Sequence, residues 1–204
     1  MSRIIAGSRG GRRIAMPTGD RARPTTDRVR EALFSAIAAW AGTAAAPVEK
    51  SLDGLAFCDL YAGSGAVGLE AASRGASRVL LVERDPRTAQ LSKRNAEALG
   101  LAAEIVVSPV EQMLRKSPAQ PFDVVFADPP YELDTEIVSA ELAQLFVRGW
   151  VGGRSLIVVE RSRRTPELVW PDLAAKRWTR AYGETILAFG SLDPEFGGRG
   201  EVEP

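Results

Sequence analysis

Residues 56–60 are a short, mostly apolar run that gives way at once to Gly63-Ser64-Gly65-Ala66-Val67-Gly68 and then to helix-compatible sequence. This order, buried strand then glycine turn then helix, constrains the fold more than any other feature. A run of that length bounded by turn-formers suits a strand covered on both faces, and such strands lie parallel and are joined by helical crossovers. The chain keeps the same rhythm. A helix over 67–73 closes at Gly75, and a second strand over 78–82 ends at Glu83. Asp85-Pro86 starts a helix, as an N-cap followed by proline at the first position, and Gly100 stops it after Leu99. Strands follow over 104–107, 122–127 and 155–159, with helices over 110–115 and 135–146 between them. Residues 176–181 and 185–189 are separated only by Tyr182-Gly183-Glu184, so they form an antiparallel hairpin. The expected class is α/β, a mostly parallel sheet with helices on both faces and right-handed crossovers. Ligands in such sheets bind beyond the carboxyl ends of the strands. Asp59, Gly63, Gly65, Glu83 and Asp128 all fall at such ends, from three different strands.

The run 122–127 stops at Asp128-Pro129-Pro130-Tyr131. Proline cannot donate to a ladder, so the strand ends at or before Asp128. The residue before a proline is held extended, which projects the Asp128 carboxylate off the strand end. Two successive prolines make a stiff corner whose carbonyls lack local donors, and Tyr131 adds a flat face. A carboxylate, open carbonyls and a ring at a strand end suit a planar amino group. The plainer alternative is a Pro-Pro turn that only closes the strand.

Gly63-x-Gly65-x-x-Gly68 between strand and helix, with Glu83 twenty residues past Gly63, has the form of a nucleotide-binding fingerprint in which the acid bonds ribose hydroxyls. Nicotinamide enzymes and S-adenosylmethionine (SAM) enzymes share it. Asp59 favours SAM, because a carboxylate four residues before Gly63 could take the methionine ammonium but would not help a pyrophosphate. The alternatives are that Asp59 caps the turn and that Gly68 only permits close helix packing.

The chain has no histidine, so chemistry must run on carboxylates, backbone groups and a cofactor. The one cysteine, Cys58, sits within the first strand of the alternating region, which suggests core packing and a reducing cytoplasm. No apolar run reaches membrane-spanning length, and the start lacks the apolar core of a secretory signal. The net charge of +0 hides an asymmetry: residues 1–30 hold eight arginines and two acids, and the remainder holds 18 basic and 24 acidic residues. Such a split suggests a polyanion partner. Strands over 3–7 and 12–16 would form a hairpin around Ser8-Arg9-Gly10-Gly11, with phosphates met by Arg3, Arg9, Arg12 and Arg13 and with Gly10 and Gly11 allowing close approach. A linker over 17–24 leads to Thr25-Thr26-Asp27, which offers caps for a helix carrying Val29, Leu33, Ile37 and Trp40. Arg28 and Arg30 in its first turn oppose the helix dipole, which hints at another use for them.

Arg3-Ile4-Ile5-Ala6-Gly7, the stretch Arg23-Pro24-Thr25-Thr26-Asp27-Arg28-Val29-Arg30-Glu31, Asp59-Leu60-Tyr61-Ala62-Gly63-Ser64-Gly65 with Gly68-Leu69-Glu70-Ala71, and Asp128-Pro129-Pro130-Tyr131 together resemble the RsmD family. Members of that family methylate the exocyclic N(2) of a guanine in bacterial small-subunit (16S) rRNA. The resemblance, over about residues 3–192, implies a class I SAM-dependent methyltransferase of Rossmann-like fold, with a seven-stranded sheet and a C-terminal antiparallel hairpin. It implies a basic N-terminal hairpin-and-helix extension over 1–45, a methyltransferase domain over 46–192 and a flexible acidic tail over 193–204. It implies SAM as cofactor, S-adenosylhomocysteine as product, no metal, 16S rRNA within the small subunit as partner, and a cytoplasmic monomer. Asp128, Pro129, Pro130 and Tyr131 become the catalytic set, with the Asp128 carboxylate and the Pro129 carbonyl accepting the amino hydrogens and Tyr131 stacking on an extruded base. Asp59, Tyr61, Gly63, Ser64, Gly65, Glu83, Ser108, Val110 and Asp128 become cofactor contacts. Arg23, Thr25, Thr26 and Arg28 join the arginines of the arm as RNA contacts. One departure stands out: where many such enzymes carry an acid after the third strand for the adenine amino group, this chain has Ser108-Pro109-Val110, with Glu111 one position on. The rival readings are a DNA amino-methyltransferase, a SAM-binding assembly factor without catalysis, and a nicotinamide oxidoreductase.

Overall fold

The computed structural model describes residues 2–17 and 26–193. Seven strands form one sheet: β3 (Ala56–Leu60), β4 (Arg78–Glu83), β5 (Glu104–Val107), β6 (Phe122–Ala127), β7 (Val151–Ser162), β8 (Lys176–Tyr182) and β9 (Thr185–Ser191). Their order is β5-β4-β3-β6-β7-β9-β8. The first five in that order are mutually parallel, and β9 runs antiparallel to both β7 and β8. The order turns at β3, whose neighbours are β4 on one side and β6 on the other, so the crevice for a ligand lies where these strands end.

Helices α1 (Asp27–Trp40), α2 (Ala66–Ser73) and α3 (Pro86–Leu99) and the short α4 (Val110–Leu114) and α5 (Thr135–Val147) cover the sheet. The expected punctuation is present. The Asp85 carboxylate accepts from Thr88 N–H, Pro86 opens α3, and Gly100 closes it in the left-handed conformation. One core cluster joins Phe57, Leu81, Phe126, Val158 and Phe189 to Leu33, Phe34 and Ile37 of α1. The other joins Cys58, Val82, Val125 and Ile157 to Leu114, Leu142 and Leu145. Cys58 is buried, and burial pushes its thiol well above the ordinary range, so it is a core residue.

The N-terminal arm departs from expectation in two ways. Its strands shrink to β1 (Ser2–Arg3) and β2 (Arg13–Ile14), with a 3-10 turn at Gly7–Arg9 between them. It is also no loose appendage. Ile4 and Ile14 lie in the first core cluster, and the buried Glu70 of α2 accepts from Ile5 N–H and Ala6 N–H and from the Arg74 guanidinium. Ser73 Oγ accepts from Arg9 N–H and donates to Ala6 O. Within the molecule the tight approach is at Gly7: at φ +82 a Cβ there would stand 2.1 Å from the Ser73 carbonyl oxygen. The first-turn arginine Arg30 is fully buried and donates to Ser2 Oγ, Arg3 O and Asp27, stapling α1 to the arm.

β7 is longer than the predicted 155–159. Pairing with β9 carries it on through Glu160↔Leu187, Arg161↔Ile186 and Ser162↔Thr185, because an antiparallel partner can extend a strand past its apolar centre. Tyr182, expected in the hairpin turn, is the last residue of β8.

Candidate active site

The glycine loop lies between β3 and α2. Gly63 has φ +55 and Gly65, the N-cap of α2, has φ +81, a region that glycine enters without strain. Gly68 sits in the first turn, where a Cβ would come within 2.1 Å of the Leu81 side chain, so glycine is needed to seat α2 on β4. Asp59 is 1% exposed and its Oδ2 accepts from Gly68 N–H at 2.8 Å. It therefore fastens the loop to the strand, one of the two roles its position suggested. Burial raises its pKa to about 7; the Gly68 hydrogen bond works against this shift and the negative Glu83 adds to it. A buried acid beside a second acid is an environment that favours a cation.

Glu83 holds the other side of the loop. One of its oxygens accepts from Gly63 N–H at 2.9 Å and the other from Asp85 N–H at 2.8 Å. A carboxylate has about four lone-pair positions, so capacity for ribose hydroxyls remains. Ser92 Oγ donates to Gly63 O, and Asn95 donates to Ser64 O and to Ala15 O. Ser64 is buried, with its hydroxyl 3.3 Å from Met16 sulfur, so the end of the arm leans on this loop. Past β5, Ser108 N–H donates to Glu83 O and its hydroxyl donates to Pro109 O, while Val110 is buried. The Ser108 hydroxyl thus has a local partner, and Val110 offers an apolar floor.

Across the crevice, Leu60 pairs with Ala127, and Asp128 N–H reaches Leu60 O at 3.4 Å. Asp128 is half-buried, Pro129 buried, Pro130 exposed and Tyr131 45% exposed. Tyr61 has the left-handed φ of +66, unusual for a side chain of its size. Its hydroxyl donates to Glu141 of α5 at 2.6 Å. Burial raises the Tyr61 pKa, as does the hydrogen bond to Glu141; burial also raises that of Glu141, against the Tyr61 hydrogen bond and with help from Glu111. Beneath the proline corner, the buried Arg161 donates to Leu133 O and Thr135 Oγ1, and its Nε and Nη1 have no partner among the described residues. Burial lowers its pKa, while Tyr61 and Asp128 act in the opposite sense.

The structure thus gathers Asp59, Gly63, Ser64, Gly65 and Glu83 on one wall and Asp128 to Tyr131 on the other, with Tyr61 between. A cavity of about 130 Å³ opens beside Tyr131, between the start of α1 and the β8–β9 turn. A wider hollow of about 680 Å³ lies at the opposite ends of the strands, near the starts of β4 and β5, away from all of these residues. Of the expected RNA contacts, Arg3, Arg12, Arg13 and Arg28 are exposed. Arg3 bonds Asp27 at 3.2 Å, and Arg9 donates to Leu99 O and Ser8 O. Thr26 caps α1 by accepting from Val29 N–H. Arg23 and Thr25 lie outside the described residues. Sequence reasoning passed over Glu160, Arg161 and Tyr182; the one available signal was an acid-arginine pair ending an apolar run, the pattern that singled out Asp128.

Among the described residues no cluster of His, Cys, Asp and Glu could hold a metal ion, and no helix is long and apolar enough to cross a membrane. A family profile described as conserved hypothetical protein 95 matches residues 2–191. The ribosomal RNA small subunit methyltransferase D of Haemophilus influenzae is 33% identical over 181 residues, covering 87% of this chain and 84% of that protein. Its namesake in Escherichia coli K12 is 35% identical over 158 residues, 78% and 73% of the two chains. Among solved structures, a hypothetical protein of Thermus thermophilus matches with a TM-score of 0.75 at 32% identity, covering 93% of this chain and 99% of that one. The Thermus thermophilus 16S rRNA N2 methyltransferase RsmC, solved with AdoMet and guanosine, matches with a TM-score of 0.63 at 19% identity over 85% of this chain and 44% of that one. At that identity the likeness concerns the fold alone, which is the class I SAM-dependent methyltransferase fold, Rossmann-like.

Proposed function

This chain belongs to the conserved hypothetical protein 95 family, the RsmD family, and from that premise we propose that it transfers a methyl group from SAM to the exocyclic N(2) of a guanine in 16S rRNA. The observation that carries the reading is the pairing of Leu60 with Ala127, which sets the Asp59–Glu83 wall directly across from Asp128-Pro129-Pro130-Tyr131.

The site's electrostatics fit the cofactor. Asp59 and Glu83 are neighbouring anions, the first buried, and the methionine ammonium would neutralise them; Glu83 also has lone pairs for the ribose, and Val110 an apolar face for the adenine. When bound, SAM supplies an already activated methyl group, so the protein's task is positioning and electrostatics. The guanine amino group is a poor nucleophile because its lone pair is delocalised into the ring. Asp128 and the Pro129 carbonyl accept its two hydrogens, which favours a pyramidal nitrogen with the lone pair directed outward. Asp128 receives the proton late, as S-adenosylhomocysteine departs. Tyr131 stacks on the base, which must leave its helix to enter. The exposed Arg12, Arg13 and Arg28 meet backbone phosphates. A substrate of this kind places the protein in the cytoplasm.

The test is labelled-methyl transfer from SAM to bare 16S rRNA, to small subunits lacking the modification and to DNA, with nucleoside analysis of the product. N(2)-methylguanine in RNA is expected. Methylated adenine or cytosine in DNA would favour the DNA amino-methyltransferase alternative, and no transfer to any of the three would sink the reading.

A further inference from the structure

Phe126 of β6 and Val158 of β7 are register partners, and both belong to the core beneath α1. Side chains alternate along a strand, so two residues further the same face carries Asp128 on one strand and Glu160 on the next. The backbone just past β6 at Asp128 and that of β7 at Glu160 are therefore neighbours, about 4.8 Å apart at strand spacing. Glu160 is 3% exposed, yet it lines the cavity of about 130 Å³ that Tyr131 borders. Thr26 and Val29 at the start of α1 and Tyr182, Gly183, Glu184 and Thr185 of the β8–β9 hairpin complete it, with Glu184 paired to Arg164 at 3.3 Å. The cavity has room for one flat heterocycle, with Tyr131 and Tyr182 in its lining and the buried Glu160 among them.

We propose that this cavity receives the target base and that Glu160 is its specificity-determining residue, accepting the N1–H of guanine while Asp128 accepts from the neighbouring amino group. The inference rests on the methyltransferase reading above and deepens it. Guanine presents two adjacent donors, N1–H and the N(2) amino group. Adenine and cytosine present an amino group beside a bare ring nitrogen, whose lone pair would face the Glu160 carboxylate. A second acid beside the amine acceptor therefore selects guanine, because the carboxylate bonds the guanine N1–H and repels the lone pair that the other two bases present there. Asp128 alone would accept any of the three amines. The start of α1 forms a wall of the cavity, which gives the N-terminal extension a part in base recognition as well as in phosphate contact.

The test begins by mapping the methylated nucleotide in the wild-type reaction. Two RNAs are then compared, with guanine or 2-aminopurine at that position. 2-Aminopurine keeps the N(2) amino group but turns N1 into an acceptor. Wild-type protein should prefer guanine by at least about 10²-fold in kcat/KM. Glu160→Gln can donate to a bare N1, so it should lower the guanine rate and narrow that preference at least tenfold. Glu160→Ala should narrow it from the guanine side alone. Calorimetric SAM binding reports whether each variant is folded. Equal wild-type rates on the two RNAs overturn the proposal. So does a loss in both variants that leaves the ratio unchanged, or a failure of both to fold and bind SAM, either of which makes Glu160 a residue of the fold. A wild-type product other than N(2)-methylguanine overturns the functional reading and this inference with it. N(2)-methylguanine with an unchanged ratio overturns the inference alone.

Discussion

On the β3–β4 side of the crevice the acids are fastened to the loop that they serve. Asp59 is held by Gly68 N–H, and Glu83 by the N–H groups of Gly63 and Asp85, all within about one βαβ unit. On the β6–β7 side the site is a meeting of distant segments: Thr26 and Val29 from α1, Tyr131 after β6, Glu160 on β7 and Tyr182 at the end of β8. The parts of the first wall belong to one stretch of the chain. Those of the second come from several elements that must agree on one cavity. A cofactor common to many enzymes suits the first construction, and a single base in one RNA suits the second.

The largest effect expected of any single change on this contrast is Asp128→Ala, which should lower methyl transfer on the order of 10³-fold while calorimetric SAM affinity stays within a few-fold. Loss of SAM binding as well would mean that the two walls are not separable. Next comes Glu70→Ala, which removes a buried acceptor of Ile5 N–H, Ala6 N–H and Arg74. It should destabilise the protein by about 3–5 kcal/mol in chemical denaturation. An unchanged midpoint would show the arm to be dispensable to the fold.

Asp59→Asn sharpens the account of the cofactor wall. It should weaken SAM binding by about 1.5–3 kcal/mol, the scale of a charged hydrogen bond. In the absence of SAM the sign reverses. The folded pKa of Asp59, about 7, lies above its ordinary 3.8. The folded state therefore holds the proton more tightly, and stability falls as pH rises from about 4 to 7. The ligand-free variant should then be more stable than wild type above pH 7, by a margin that closes towards pH 4. A margin independent of pH in thermal melts would contradict the burial argument. The smallest effect is expected from Arg12→Glu with Arg13→Glu, which should weaken RNA binding and flatten its salt dependence by about 0.7–0.9 per lost phosphate contact. An unchanged slope would remove these arginines from the interface.

What could be read in advance follows the same division. The Gly63-Gly65 turn and the Asp85-Pro86 start were legible because each is set by residues a few positions away, and the placement of Glu83 because one strand–helix–strand repeat separates it from Gly63. Asp128 was legible because two prolines fix the backbone after it. Glu160 was not, since the antiparallel pairing with β9 that extends β7 past Val159 is a property of the sheet. The arm's packing was hidden for a related reason. Its arginine count pointed to a partner outside the molecule, whereas Ile4, Ile14 and the backbone of Ile5 and Ala6 are committed to α2 and the core.

That commitment has a consequence for the growing chain. Ala6 waits for Glu70, 64 residues later, and Arg9 for Leu99, 90 residues later. At about 5–20 residues per second, the first hairpin leaves the ribosome roughly 3–20 s before its docking surface exists. Contacts of such separation close late, after the local helices and the βαβ unit have formed. The basic arm is thus made well before its docking surface and is among the last parts to be fixed in place.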